Sequence, residues 1–404
     1  VRVAILTKEY PPEVYGGAGV HVSELSRELA KLADVDVHCF GKERSDSLVK
    51  KSYQLPGEFK SLISDTPAGI AFDAMAVDLA MLANIGTVDI CHSHTWYTNF
   101  AGFVARQALG YKHVVTSHSL EPLRPWKREQ LGAGYDISLW IERSALTDAD
   151  AIIAVSGAMK NDIISCYEGV DPEKVHVIYN GVDTLKWRPR PWSGSLARFG
   201  VNPDKQIVAF LGRITRQKGL SYLLKAAPLI DSSAQIVICA GQPDTKEIQE
   251  EVHALFNLAG RREGGLVIIE EVLPVEELSE LFTQATCLVC PSIYEPFGLV
   301  NIEAMACSTP VVASDVGGIK EIVEDGQTGY LVGVQLSSTP PFEPIDGEKF
   351  AADIADKVNI LISNPVLTGK MREKARLAVE EKFSWSKIAE QTVRLYQDIL
   401  QGAK

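Results

Sequence analysis

The sequence predicts an α/β protein built from two doubly wound units in series, each a parallel sheet covered by helices on both faces. Three observations carry this. Short β-branched runs, apolar on both faces, recur along the chain, each is followed by a stretch with helical spacing, and an irregular segment near the middle separates two such series. Strands apolar on both faces belong to parallel sheets buried between helical layers. A chain of 404 residues is too long for one ordinary core and suits two of about 150–200 residues.

In the first series the strand-like runs are Val1 to Thr7, Val35 to Phe40, Val88 to His94, His113 to His118, Ala151 to Ser156 and Val175 to Asn180. Between the first two, Val22, Leu25, Leu29 and Leu32 share one helical face. In the second series the runs are Gln206 to Gly212, Ala234 to Gly241, Leu266 to Val272, Cys287 to Ser292, Pro310 to Asp315 and Gly329 to Val332. The segment Asp183 to Asp204, with Trp187, Pro189, Pro191, Trp192, Gly194 and Gly200, has neither period and reads as the linker. Gln335 to Gly347 reads as a surface loop of the second unit, and Phe383 to Leu400 as an amphipathic helix with Ile388, Val393, Leu395, Tyr396 and Ile399 as its apolar points. The domains expected are thus 1–186 and 187–382, followed by the terminal helix 383–404.

Composition narrows the function. An apolar share of 46% with 23% charged residues is that of a water-soluble globular protein, and no apolar run approaches the roughly 20 residues of a membrane span. Val1 to Leu6 read directly as a buried strand without a leader pattern, which makes the cytoplasm the expected address. Up to position 186 there are 18 basic and 24 acidic residues, and beyond it 22 and 28, so each half carries −6 of the total −12. Nucleic acid is therefore not an expected partner. Seven scattered cysteines, Cys39, Cys91, Cys166, Cys239, Cys287, Cys290 and Cys307, read as reduced core thiols rather than as a disulfide or metal framework.

Ligands of open α/β sheets sit beyond the carboxyl ends of the strands, so the residues after each strand are the candidates. After the first comes Glu9-Tyr10-Pro11-Pro12-Glu13-Val14-Tyr15-Gly16-Gly17-Ala18-Gly19, a glycine loop opening a helix. After Ile207 to Leu211 comes Gly212-Arg213-Ile214-Thr215-Arg216-Gln217-Lys218-Gly219, in which Arg213 offers a planar fork to phosphate oxygens and Lys218 a mobile point charge, beside a helix start. After Cys287 to Cys290 comes Tyr294-Glu295-Pro296-Phe297-Gly298-Leu299-Val300-Asn301-Ile302-Glu303. There Glu303, in the second helical turn, suits a ribose diol, and Glu295 suits sugar hydroxyls.

These motifs together resemble the retaining glycosyltransferases of the two-domain GT-B type, in the group containing sucrose, trehalose and glycogen synthases. Arg213 with Lys218 matches the family's phosphate-binding pair and Glu295 with Glu303 its E-x7-E motif. Asn180-Gly181-Val182-Asp183 is similar to the N-G-V-D of the domain junction, and Gly16-Gly17 to the loop facing the donor. Glu9 to His21 and Thr116 to Lys127 look most like the actinobacterial ADP-glucose-dependent glycogen synthases and alpha-maltose-1-phosphate synthases. Val14-Tyr15-Gly16-Gly17-Ala18 departs from the K-T-G-G-L of the familiar bacterial glycogen synthases, so the loop lysine is missing.

The resemblance implies two Rossmann-like domains facing across a cleft, the first on the acceptor side, the second binding the nucleotide sugar, with the C-terminal helix docking on the first. It implies transfer of glucose from ADP-glucose into an α-1,4 link on glucose 1-phosphate or an α-glucan, in glycogen biosynthesis. The partners are then small donor and acceptor sugars, with glycogen among them and no membrane, metal or other cofactor. Residue by residue it assigns catalysis to His118, Glu295, Arg213 and Lys218. Donor binding falls to Gly16, Gly17, Asn180, Gly212, Arg213, Lys218, Glu295, Phe297, Gly298, Leu299, Val300 and Glu303, and the acceptor side to Glu9, Tyr15, His94 and Arg124.

Competing readings are weighed on the same residues. Asp34-Val35-Asp36 and Asp148-Ala149-Asp150 satisfy the D-x-D pattern of metal-dependent glycosyltransferases but stand at strand starts, away from the ligand end. His92, His94 and His118 would need a further ligand to hold zinc, and His92 and His94 either line the acceptor side or satisfy local backbone. A glycoside hydrolase would keep one of two flanking carboxyls protonated, whereas Glu295 and Glu303 stand beside two phosphate-binding cations. A transferase taking a UDP- or GDP-sugar to a small-molecule or lipid acceptor, and a non-catalytic module that binds sugar nucleotides, are the remaining alternatives.

Overall fold

The computed structural model describes residues 1–55, 57, 66–260 and 262–402, so the last two positions of the segment 383–404 lie outside the described residues. The chain divides between Gly181 and Val182, a little ahead of position 186, into a first unit of Val1–Gly181 with Trp385–Lys404 and a second of Val182–Ser384.

The first unit contains β1 (Arg2–Thr7), β2 (Asp34–Phe40), β3 (Val49–Tyr53), β4 (Ile90–His94), β5 (Lys112–Ser117), β6 (Ala151–Ala154) and β7 (Val175–Val177). They form one sheet in the order β3-β2-β1-β4-β5-β6-β7. Every pairing is parallel; Val3 stands beside Val35 on one side and Ile90 on the other. The period of two along β1 sends Val3 and Ile5 to one face and Ala4 and Leu6 to the other, and both faces are buried. Val3 and Ile5 join Val22, Leu25 and Leu29 of the helix Gly17–Leu29, while Ala4 and Leu6 join Val77, Met81 and Ala101. Leu32, expected on the same helical face, lies beyond the helix end and is half exposed.

Two elements of this unit are absent from the sequence pattern. β3 reads Val-Lys-Lys-Ser-Tyr and is an edge strand in which only Tyr53 is buried, so it lacks the apolar signature of a central strand. The helix Gly69–Leu82 is apolar on all sides, which hides the 3.6 period.

The second unit contains β8 (Gln206–Leu211), β9 (Ala234–Cys239), β10 (Leu266–Ile269), β11 (Ala285–Cys290), β12 (Val311–Ser314) and β13 (Gly329–Val332), again wholly parallel, in the order β10-β9-β8-β11-β12-β13. One core joins Val208, Phe210, Ile236, Ile238 and Val289 to Leu223 and to Phe350 and Ile354 of the helix Gly347–Ser363. The residues read as a linker are folded onto this unit. Trp187 is buried with its ring 6.0 Å from that of Phe282, Ser193 bonds Glu280 through its N–H and its hydroxyl, and Arg376 donates to the carbonyls of Thr184 and Trp187. The aperiodic sequence there reflects side chains that reach single pockets, not a flexible tether.

The terminal helix Trp385–Gln401 belongs to the first unit, where Ile388, Val393, Leu395 and Tyr396 share a core with Val22, Leu25 and Leu29. Gly181 lets the chain pass against this helix, since a Cβ there would lie 2.7 Å from the ring of Trp385. All seven cysteines are free thiols, six of them buried. No helix among the described residues is long and apolar enough to cross a membrane.

Candidate functional site

In each sheet the order reverses between two strands that lie side by side but not in succession: β1 and β4 in the first, β8 and β11 in the second. Loops leaving such a pair diverge and open a crevice at the carboxyl edge. Most of the sequence-predicted residues fall at the ends of these strands or on the segments that follow them, while His118 and Arg124 follow β5 and Asn180 follows β7.

In the second unit the turn 212–219 leaves β8 and the turn 291–298 leaves β11, and the structure stitches them together. The N–H of Ile293 donates to the carbonyl of Gln217 at 2.9 Å, and Lys218 Nζ donates to Glu295 Oε2 at 2.6 Å. Glu295 also accepts from Ser292 Oγ at 3.1 Å and is buried, while the Lys218 side chain keeps one fifth of its surface. Arg213 reaches Asp244 at 3.4 Å, on the loop after β9 that runs alongside through the bridge of Ile214 with Pro243. Asp244 carries no functional signal in the sequence, where an isolated Pro-Asp after a strand reads as an ordinary turn.

Two glycines make this close approach geometrically necessary. Gly219 has φ +64° and its Cβ would stand 2.0 Å from the carbonyl oxygen of Pro291; Gly317 has φ +50° and its Cβ would stand 2.1 Å from that of Glu295. Gly219→Ala should therefore cost roughly 2–4 kcal/mol, through the left-handed backbone and the forced separation of the two turns. Thermal unfolding checks this, and an unchanged midpoint would mean that the turns are not in contact.

Gly212 opens the first turn and Gly298 closes the second, and Leu299 and Val300 form the half-buried first turn of the helix Leu299–Ala306, which carries Glu303 on its second. The ring of Phe297 is buried, 5.7 Å from that of Phe383.

In the first unit the carboxylate of Glu9 accepts the N–H groups of Tyr15 and Gly16, each at 2.8 Å. Glu9 is thus the clasp of the glycine loop, leaving Tyr15 exposed and Gly16 with open space above its Cα. Gly17 opens the helix Gly17–Leu29. Arg124, expected on the acceptor side, bonds Ser119 Oγ at 3.0 Å and Glu121 at 3.3 Å, which fixes the loop after His118. Lys8, unremarked in the sequence, lies 3.5 Å from the centre of the Tyr97 ring. It borders both a cavity of about 450 Å³ with Phe40, Tyr53 and Asp73 and one of about 400 Å³ with Glu9, Val14 and Tyr15.

The histidines separate into two kinds. His92 is saturated, one ring nitrogen on Tyr396 Oη and the other on Thr116 Oγ1, both at 2.6 Å, so it holds the terminal helix to the sheet. His94 and His118, at the ends of β4 and β5, approach to 3.0 Å between Nδ1 and Nε2, and the ring of His21 stands edge-on to His118 at 4.6 Å. Asn180 accepts from His21 Nδ1 at 2.6 Å. Burial, reinforced by the neighbouring imidazoles, holds the pKa of His94 and His118 well below the ordinary range, and burial brings His21 to about 4, so all three are neutral at pH 7. The D-x-D residues lie at the other edge of the sheet, Asp148 and Asp150 holding Arg106 at 2.9 Å.

Comparison with known proteins shows the family and the fold. Residues 15–186 match the Glycosyltransferase Family 4 model and residues 196–339 that of Glycosyl transferases group 1. The alpha-maltose-1-phosphate synthase of Mycolicibacterium smegmatis is 46% identical over 403 residues, covering 99% of this chain and 100% of that protein. The enzyme of the same name from Mycobacterium tuberculosis is 45% identical over 402 residues, with the same coverage. Among solved structures, sucrose-phosphate synthase from Thermosynechococcus elongatus superposes with a TM-score of 0.76 over 100% of both chains at 24% identity. The chain belongs to the retaining GT-B glycosyltransferases, as a nucleotide-sugar-dependent hexosyltransferase of the family that contains the alpha-maltose-1-phosphate synthases.

Proposed function

We propose that this protein transfers glucose from ADP-glucose, with retention of configuration, to glucose 1-phosphate, forming the α-1,4 link of maltose 1-phosphate for glycogen biosynthesis. The observation that carries the reading is the pair Arg213 and Lys218 at the β8/β11 switch point, each paired with an acidic side chain. A diphosphate entering there exchanges carboxylate contacts for phosphate contacts. At an effective dielectric near 20, each charge pair at 4 Å contributes roughly 4 kcal/mol before desolvation is subtracted. In this reading Glu303 takes the ribose and Glu295 and His118 orient the glucose, with Gly16 and Gly17 near the donor. As the glycosidic bond breaks, charge accumulates on the departing diphosphate, where the two cations stabilise it most. That phosphate oxygen takes the proton of the attacking acceptor hydroxyl on the same face, which yields retention. The match to two alpha-maltose-1-phosphate synthases over nearly the whole chain supports the acceptor, and the absence of the loop lysine before Gly16 fits a small phosphorylated acceptor no worse than a polymer.

The test is release of ADP from ADP-glucose with glucose 1-phosphate or glycogen as acceptor. Faster release with glucose 1-phosphate, together with a product that contains one phosphate and two glucoses, is expected. A preference for UDP- or GDP-glucose would overturn the donor, a preference for glycogen the acceptor, and the absence of any transfer the catalytic reading itself. Turnover of protein prepared free of metal should be unchanged by EDTA; its abolition by EDTA and recovery with magnesium would show that a cation shares the leaving-group charge.

A further inference from the structure

We propose that His21, His94 and His118 form a site for a borderline-soft divalent transition metal of the Zn²⁺ type, and that its occupancy inhibits the transferase. Each residue can offer one ring nitrogen within 4.8 Å of those of the other two. They come from three elements of one unit: the helix after β1, the end of β4 and the end of β5. These strands are neighbours in the sheet, so the ligands stand on a rigid frame.

Second, the polar accounting is left open. Asn180 Oδ1 accepts the Nδ1–H of His21, which leaves the lone pair of the neutral ring on Nε2. The Nε2 atoms of both His21 and His94 are buried and have no hydrogen-bond partner among the described residues. Buried polar atoms are rarely left so; with His94 Nδ1–H donating to His118 Nε2, both orphaned Nε2 atoms carry lone pairs, and two of them in one cluster point to a ligand that accepts a lone pair.

The chemistry selects the ion. Three neutral imidazoles without a carboxylate suit zinc, cobalt, nickel or copper rather than magnesium or calcium. Neutral rings need not lose a proton to bind. Metal–nitrogen distances of about 2.0–2.1 Å in a tetrahedral site place ligand nitrogens about 3.4 Å apart, so the three must draw in by at most about 1.4 Å. A fourth position is left for water. The buried thiols are poor competitors, because burial keeps them protonated, with Cys91 raised to about 12. The sequence concealed the site because His21 sits in a helix well away from the other two. The inhibitory half rests on the reading of His118 as a contact of the transferred glucose, since a ring bound to metal cannot also bond the sugar.

Cobalt(II) is the probe. Metal-free full-length protein should take up one Co²⁺ per chain with the visible bands of four-coordinate cobalt and no sulfur-to-metal charge-transfer band, and Zn²⁺ should displace it. His94→Gln and His21→Gln should each weaken binding by at least tenfold. Failure to bind stoichiometrically, a thiolate band, or unchanged affinity in either folded variant overturns the site. The wild-type stoichiometry and spectrum decide it alone if neither variant folds. Saturating Zn²⁺ should then lower transfer from ADP-glucose by tenfold or more, reversed by EDTA; full activity with the metal bound overturns the inhibition. Because binding is read without donor or acceptor, it stands or falls separately from the proposed reaction.

Discussion

Lys218→Ala should lower kcat/KM for the nucleotide-sugar donor by about 30- to 1,000-fold, a loss of roughly 2–4 kcal/mol of transition-state stabilisation. The ammonium is 2.6 Å from Glu295 and keeps a fifth of its surface, so it is available to an incoming phosphate. Its removal has a second effect: Glu295 is buried and would lose its cation, and a buried charge stripped of its partner destabilises the fold. The two effects are separable. Glu295→Gln added to Lys218→Ala removes the orphaned charge and should restore the unfolding midpoint while leaving the rate low, because the lysine's contact with the leaving diphosphate and the carboxylate's contact with the glucose are then both missing. Arg213→Ala should lower the rate with a smaller change in stability, since both Arg213 and Asp244 keep contact with water. Steady-state kinetics and thermal unfolding on the four proteins check this, and full activity in Lys218→Ala would remove the lysine from the mechanism.

The parts of the fold that were legible are those where one physical cause dominates. Central parallel strands such as Ile207–Leu211 must be apolar on both faces, and the terminal helix must show Ile388, Val393 and Tyr396 on one side. β3 and the helix Gly69–Leu82 escaped because an edge strand and an all-round apolar helix carry no diagnostic period. In the site, the strand-end rule pointed to Arg213, Lys218, Glu295 and Glu303 without any distance being known, since the segments after β8 and β11 flank the crevice at the switch point for topological reasons. Pairings were not legible. Nothing in the sequence joins Arg213 to Asp244, or His21 to Asn180, or gives Glu9 the backbone of its own loop. Such contacts depend on where chain segments cross, and periodicity carries no information about that. The same limit turned the Trp187 segment into an apparent linker.

Acidification should unfold the first unit before the second, with stability falling by about 4 kcal/mol per pH unit near pH 5–6. Six of its histidines, the buried His21, His38, His92, His94 and His113 and the partly buried His118, are held below the ordinary histidine range, with His21, His38 and His113 at about 4. In the unfolded chain each titrates near 6.5. Between those values the unfolded state binds more protons, so this contribution to stability is present above about pH 6.5 and is lost as the pH falls towards 4. Buried acids pull the other way: burial raises Asp78 well above the carboxylate range, Asp162 to about 6 and Glu142 to about 8, so they are protonated when folded but ionised when unfolded. Six imidazoles against three carboxyls leave about three protons taken up on unfolding, hence roughly 4 kcal/mol per pH unit, a large share of a typical stability of about 5–15 kcal/mol. The second unit has one histidine, His253, exposed on the helix Lys246–Ala259, and lacks this liability. Amide exchange followed from pH 7.5 to 5 should show protection lost first in β1, β4 and β5. His113→Gln, which can keep a hydrogen bond to Ser93 in place of the present 2.8 Å contact, should flatten the profile by about one proton. Equal loss of protection in both units, or a denaturation midpoint that does not move between pH 7.5 and 5, would show that these imidazoles are protonated in the folded protein.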